Sequence, residues 1–289
     1  MRVKKEIEAL LLKTLILVTA VIAAMPIVVL VCTAFKSDAE IAAGFTGLLP
    51  EKFLFSNLSK AMSMGAWPRY FMNSAVITVA VTVISLLINS LAGYAFARLR
   101  FPGSSLLFYC AMVGMMLPMQ IMMLPVFLQI KEFPFMGGNN WMGEGGVGLI
   151  NSYIGVILPI VANPFGVFMC RQYYLGFPRE LDEASRIDGC SALATYIHIY
   201  LPMSKPLFAT LGLLKVVDTW NQYTWPLLVI NRTEMQTVQL ALNAFKGETF
   251  IQWNYLMAAT IMIVLPVLVL FVFLQKYFVQ GIATTGMKG

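Results

Sequence analysis

The chain has 289 residues, 59% of them hydrophobic and only 12% charged, with a net charge of +6. Soluble domains carry roughly a quarter charged residues, so this deficit excludes an ordinary water-soluble domain and points to lipid. No dense run of Lys and Arg occurs, which excludes nucleic acid as the partner of the positive charge.

Uncharged runs cover 14–35, 70–97, 101–130, 145–170 and 249–275, and each exceeds the ~20 residues that cross a bilayer as a helix. A further run, about 206–231, is interrupted by Lys215 and Asp218. The expected fold is all-α, one membrane domain over 1–289 with six spans at about 14–35, 70–97, 104–130, 148–170, 206–231 and 253–276. The first span is too long for the ~7–15-residue apolar core of a signal peptide and lacks a small-residue cleavage site. It is expected to persist as an uncleaved anchor. Residues 36–69 follow outside the membrane, and Trp67, Arg69 and Tyr70 read as interfacial anchors opening span two.

Span two ends on the basic stop Arg98-Leu99-Arg100 and the turn Pro102-Gly103. Pro118 and Pro125 are expected to break span three, Pro159 and Pro164 span four, and Pro266 span six. Intramembrane prolines free carbonyls that neighbouring helices or water must cover. The glycine-rich loop 131–148 reads as flexible, outside the membrane and in reach of a docking protein. Its Gly143-Glu144-Gly145-Gly146-Val147-Gly148 spells G-x-G-x-x-G, but a dinucleotide site needs a preceding strand and a βαβ unit. With the amino terminus inside, twelve Lys and Arg fall on the cytoplasmic side and seven outside, leaving Lys215 in a span. That asymmetry places both termini in the cytoplasm.

Between spans four and five lies a polar loop, 177–205. Pro178 suits a first helical position, and Glu180, Asp182 and Glu183 then fall in the first turn, where the helix dipole favours negative charge. Leu181, Ala184 and Asp188 share one side at i, i+3 and i+7, with Ile187 adjoining. Gly189 ends the helix in the left-handed conformation it tolerates best. The result is a short helix with small residues in its middle and charge at its rim, shaped to enter a cleft on a partner.

Enzyme machinery is absent from the sequence. No G-x-x-x-x-G-K-[ST], G-x-S-x-G or H-E-x-x-H string occurs, so no catalytic residue is assigned. His198 is the only histidine and has no ligand-spaced neighbours for a metal. Cys32, Cys110, Cys170 and Cys190 show no metal spacing and read as packing thiols. No cofactor is expected in this chain.

Glu183-Ala184-Ser185-Arg186-Ile187-Asp188-Gly189, then nine residues, then Ile199-Tyr200-Leu201-Pro202 closely resembles the cytoplasmic EAA loop of permease subunits in binding-protein-dependent ABC importers. Ser185 stands where a second Ala is usual. Trp220-Asn221-Gln222-Tyr223-Thr224-Trp225-Pro226-Leu227 resembles the W-N-x-(aromatic)-x-W-P-L string of the carbohydrate-uptake members. Gly148–Tyr153, Asn73-Ser74 and the ending Tyr277–Gly281 with Lys288-Gly289 are similar to that subfamily as well. The whole is similar to the maltose-type second permease subunit. The resemblance implies a multi-pass protein of the bacterial inner membrane, docking an ATPase through Glu183, Ala184, Ser185, Asp188 and Gly189. It further implies a heterodimer with a second permease, two ATPase subunits that hold ATP and Mg, an extracytoplasmic solute-binding protein, and a sugar-type substrate.

Polar residues inside the spans are the candidates for the substrate path: Asn73, Asn89, Gln120, Asn163, Asn221, Gln222 and Lys215, with Tyr223 offering a ring face. Against each stands plain helix–helix hydrogen bonding, worth ~0.6 kcal/mol per contact. Lys215 and Asp218, at i and i+3, are placed to pair. The rival reading is an ion-coupled secondary transporter acting without an ATPase. It requires intramembrane carboxylates, and Asp218 is the one available.

Overall fold

The computed structural model describes residues 2–44, 47–247 and 250–286, with side chains over 6–44, 47–247, 250–273 and 275. Lys276, Lys288 and the 277–289 string lie outside the described side chains, as do Arg2, Lys4 and Lys5. In chain order the helices are α1 (Arg2–Ala34), α2 (Asp38–Ala42), α3 (Ser56–Ser63), α4 (Trp67–Arg98), α5 (Ser104–Met116), α6 (Met119–Lys131), α7 (Tyr153–Val161) and α8 (Pro164–Leu175). Then come α9 (Glu180–Ile187), α10 (Ala192–Thr195), a π turn (Tyr196–Tyr200), α11 (Leu201–Met203), α12 (Lys205–Trp220), α13 (Thr224–Val229), α14 (Val238–Ala241) and α15 (Trp253–Gly286). Among the described residues the extended pairing is limited to one bridge, Lys246 to Ile251. The chain is all-helical.

Three helical stretches are each long and apolar enough to cross a membrane: Glu6–Ala34, Trp67–Arg98 and Trp253–Phe273. The expected spans three and four are bent pairs, α5 with α6 at 107° and α7 with α8 at 44°. Counting each pair as one span gives five. The expected span 206–231 is not one apolar helix, because α12 ends at Trp220 and α13 begins at Thr224. Pro226 disfavours a continuous helix here, since its ring would crowd the carbonyl of Gln222, four residues back. Asn221 closes α12 instead, its Nδ2 donating to the Val217 carbonyl at 2.8 Å.

Of the five prolines expected to break spans, two do. Leu117 and Asn163 precede Pro118 and Pro164 and are both extended, as the residue before a proline prefers. Pro125, Pro159 and Pro266 lie inside α6, α7 and α15, which continue through them.

By internal contacts the chain divides into two units. One comprises Met1–Trp67 with Ala241–Pro266. Its turn after α1 is fixed by a capping box, in which Ser37 and Glu40 bond each other's backbone amides, and Glu40 also accepts from the Glu51 amide at 2.8 Å. These backbone bonds, led by that from Glu51, hold the Glu40 carboxyl below its ordinary range. The buried Asn57 amide spans the Ala34 and Lys36 carbonyls at 3.0 and 2.8 Å. Trp67, expected at the lipid interface, is buried: its Nε1 donates to Ala61 at 2.9 Å and its ring stacks on Phe245.

The other unit comprises Pro68–Leu240 with Val267–Gly289. The most apolar window of α4 is 39% buried, against 6% for that of α1, so α4 serves as the packed spine of this unit. Ile77 and Val81 near its start join Ile130, Val156, Trp225 and Val229 in one core. Tyr94 near its end joins Cys170, Tyr174, Tyr196 and Tyr200 in another. A Cβ on Gly93 would collide with Cys170, and one on Gly166 with Asn89; these two glycines set the close approach of α4 and α8. The loop 131–148, expected to be flexible, is knitted. Asn139 is buried, bonding the Lys131 and Phe133 carbonyls and the Gly146 amide, while Asn140 caps the amides of Met142 and Glu144. Of the cysteines, Cys32 and Cys170 are buried and Cys110 and Cys190 exposed, so packing accounts for only two.

Candidate functional site

The 177–205 segment carries the expected short helix. α9 begins at Glu180, with Arg179 as its cap, so Pro178 sits just before the helix rather than at its first position. Gly189 has φ +74°, the left-handed geometry that ends helices. The inward edge of α9 is Leu181, Asp182 and Ser185, of which Ser185 is buried. Glu180, Glu183, Ala184, Ile187 and Asp188 form the outward edge. Leu181, grouped with Ala184 and Asp188 by spacing, is half-buried, whereas those two are exposed. Ile187 is 87% exposed, an apolar side chain with nothing over it among the described residues.

The inward edge is bolted to the core. Asp182 pairs with Arg98 at 3.3 Å, and Tyr200 donates to the other Asp182 oxygen at 2.8 Å. Arg98 also donates to the carbonyls of Tyr174 and Phe177, and its guanidinium lies over the Tyr200 ring. Ser185 donates to the Asp182 carbonyl and accepts from Thr195. Burial, and after it the bond to Asp182, pushes the Tyr200 phenol well above its ordinary range. Tyr200 and Tyr196 reach inward from the π turn, in which the Leu201 amide bonds the Tyr196 carbonyl. That wider turn directly precedes Pro202, whose ring would crowd the His198 carbonyl in a regular helix. Beside α9 a cleft of about 770 Å³ is lined by Arg98, Arg100, Arg179 and Arg186 against Asp182 and Glu183.

A second site lies deeper. Asn89 of α4, Asn163 at the α7–α8 break and Lys215 of α12 line a cavity of about 430 Å³ with Ser85, Leu214 and Asp218. Asn89 donates to Ser85 Oγ at 2.9 Å and accepts from the Asn163 amide at 3.3 Å. Lys215 and Asp218 pair at 3.4 Å, their side chains 10% and 55% exposed. Ser74, Thr78, Thr82, Ser85 and Asn89 are all buried, at intervals of three and four that set them along one side of α4. The hydroxyls of Thr78, Thr82 and Thr219 have no hydrogen-bond partner among the described residues. The sequence reading did not single out Ser85 or the threonines, although their spacing in an apolar helix was the available signal.

The other path candidates are elsewhere. Asn73 is consumed by structure: it donates to the Glu234 and Gln236 carbonyls, each at 2.9 Å, and accepts from Tyr153 at 2.7 Å. Gln120 is exposed on α6. Asn221, Gln222 and Tyr223 form the α12–α13 break, where Asn221 also accepts from Gln239 at 3.1 Å. No metal-type cluster occurs among the described residues.

Apolar helices long enough to cross a membrane, a polar cavity and a helix with one exposed polar edge are features that suit a membrane transport component. The profile of the family described as "binding-protein-dependent transport system inner membrane component" matches residues 89–284. The chain is 34% identical over 241 residues to the arabinooligosaccharides transport system permease protein AraQ of Bacillus subtilis, covering 83% of this chain and 81% of that one. It is 30% identical over 291 residues to the sn-glycerol-3-phosphate transport system permease protein UgpE of Rhizobium meliloti, covering 98% of each. Its fold matches a chain of a bacterial ABC transporter involved in the import of the acidic polysaccharide alginate, with a TM-score of 0.80, 23% identity and coverage of 95% and 98%. The chain belongs to the family of binding-protein-dependent transport system inner membrane components. It is a permease subunit, a transport component rather than an enzyme.

Proposed function

We infer that this chain is one half of the translocation pathway of an ATP-driven importer for a sugar or sugar derivative. It crosses the inner membrane six times with both termini in the cytoplasm, α12 and α13 supplying the broken fifth span. α9 is the coupling helix, presenting Glu183, Ala184, Asp188 and Gly189 to an ATPase, while Ser185 faces inward to tie the helix to the core. A second permease completes the pathway, two ATPase subunits hold ATP and Mg, and a solute-binding protein delivers the sugar. The cargoes for which the relatives are named, arabinooligosaccharides and sn-glycerol-3-phosphate, support a polyhydroxylated cargo.

The observation that carries this reading is the two-edged α9: one edge is fixed through Asp182 to Arg98 at the end of α4, the other exposes Ile187. A lever needs both a rigid attachment and a free contact surface. Closure of the ATPases would move α9 and, through Arg98 and Tyr200, the ends of α4 and the π turn. An ion-coupled carrier finds less support, since Asp218 is engaged by Lys215. The test is co-purification from native membranes. The tagged chain is expected to bring down an ATPase subunit, and the Ile187→Asp variant to lose at least tenfold of it at unchanged chain yield. Equal recovery from both would refute α9 as the docking element.

A further inference from the structure

The cavity holding Lys215 lies between α4, α8 and α12 and is open on the side of Leu214 and Asp218. Asn89 is nine residues from Arg98 at the end of α4, and Lys215 ten from Lys205 at the start of α12; at ~1.5 Å per residue both stand about 14–15 Å along their helices. That is half of a ~30 Å hydrocarbon layer. An ionised side chain at that depth requires a polar surrounding. Lys215 has three donors and meets one acceptor among the described residues, Asp218, at 3.4 Å. Asp218 in turn leaves more than half its side chain open. The Asn163 amide group faces the same space, with only its oxygen engaged, by the Phe165 amide. Donors and acceptors are thus left over together, and one cation balances one anion.

We propose that this chain itself contacts the cargo in this cavity, and that the Lys215–Asp218 pair with Asn163 selects a neutral polyhydroxylated molecule over an anionic one. A vicinal diol matches the arrangement, since one hydroxyl accepts from the ammonium while its neighbour donates to the carboxylate. An anionic cargo gains at Lys215 but is repelled by Asp218, and the lining holds no second cation. The proposal rests on the importer reading.

The test uses the whole importer, with its second permease, ATPases and binding protein, in proteoliposomes. The probes are a neutral pentose trisaccharide and the same sugar oxidised to its aldonate. Wild type is expected to carry the neutral form at least tenfold faster. The near-isosteric double variant Lys215→Gln, Asp218→Asn is expected to assemble and to lose at least tenfold of that uptake. Asp218→Asn alone is expected to shift preference toward the aldonate. A second measurement does not depend on those variants. Leu214→Cys, in a background cleared of the four native cysteines, is expected to react with a soluble maleimide at least threefold more slowly when the neutral sugar is delivered. Uptake by an assembled double variant within twofold of wild type, or maleimide labelling indifferent to sugar, overturns the proposal and leaves the importer reading standing. Preference of wild type for the aldonate does the same. A wild-type complex that carries neither sugar counts against sugar import itself, and with it against this site.

Discussion

Asp182 illustrates what a single residue does here. In sequence it is one of three acids in a first helical turn; in the fold it is the joint between α9 and the bundle, held by Arg98 and Tyr200. Removing one partner of a buried ion pair costs about 3–5 kcal/mol, because the other charge is left stranded. Arg98→Met is therefore expected to destabilise the chain by about that amount, read as a fall in the unfolding midpoint of the purified complex. It should also uncouple ATP hydrolysis from uptake in whatever fraction assembles. Tyr200 yields a pH prediction. Its phenol is raised by burial and by Asp182, so the folded state holds the proton more tightly than the unfolded chain. The stability it contributes is complete below about pH 10, the unfolded value, and is lost as pH rises toward the higher folded one. Thermal stability measured between pH 7 and 9 should show no slope from this group, and Tyr200→Phe should lessen the fall above about pH 10, to which the buried Tyr196 phenol also contributes. The participants were all visible in the sequence, within the basic stop, the acidic first turn of α9 and the Ile199-Tyr200-Leu201-Pro202 end. Their pairing was not, because Arg98 and Asp182 are brought together only by the packing of α4 against α8.

At the scale of elements, the local features were the legible ones. Acidic residues at the start of α9 and Gly189 at its end follow from cap and dipole rules that act within one turn. Gly189→Arg separates folding from docking. No atom lies within 4 Å of where its Cβ would be, so in this chain the cost is the left-handed backbone alone, roughly 1–2 kcal/mol. Chain yield is expected to stay near wild type while ATPase binding fails. The broken spans were less legible, because proline alone does not decide where a helix breaks; at Pro118 and Pro164 the preceding residue leaves the helical region. By contrast, α6, α7 and α15 run through Pro125, Pro159 and Pro266. The 131–148 loop was misread because glycine content signals freedom, whereas its order comes from two asparagine side chains bonding backbone several residues away. Gly148–Tyr153 has a structural role too: the Asn151 oxygen accepts from the Asn231 and Arg232 amides at 2.6 and 3.0 Å. The knitted loop presents Phe135, Trp141 and Met142 to the surroundings. Met142→Cys, in a background without native cysteines, is expected to label with an impermeant thiol reagent from the outer face of intact cells. Labelling from the cytoplasmic face alone would invert the topology.

For the molecule as a whole, composition and charge spacing point to an all-helical membrane chain, and the EAA segment points to its family. What sequence could not supply was convergence. Asn89, Asn163 and Lys215, from three helices, share a cavity, while Asn73 and Asn221 are spent on backbone. Residue type was the same in each case; only position in the packed bundle separates a cavity wall from a structural tie. The central claim is that this chain moves its cargo only when ATPases push on α9. It is tested most directly by sugar uptake into proteoliposomes carrying the full complex, with and without internal ATP, for wild type and for Gly189→Arg. Wild type is expected to take up sugar only with ATP, and Gly189→Arg under neither condition. Uptake by wild type on an ion gradient without ATP, or normal ATP-driven uptake by Gly189→Arg, would contradict it.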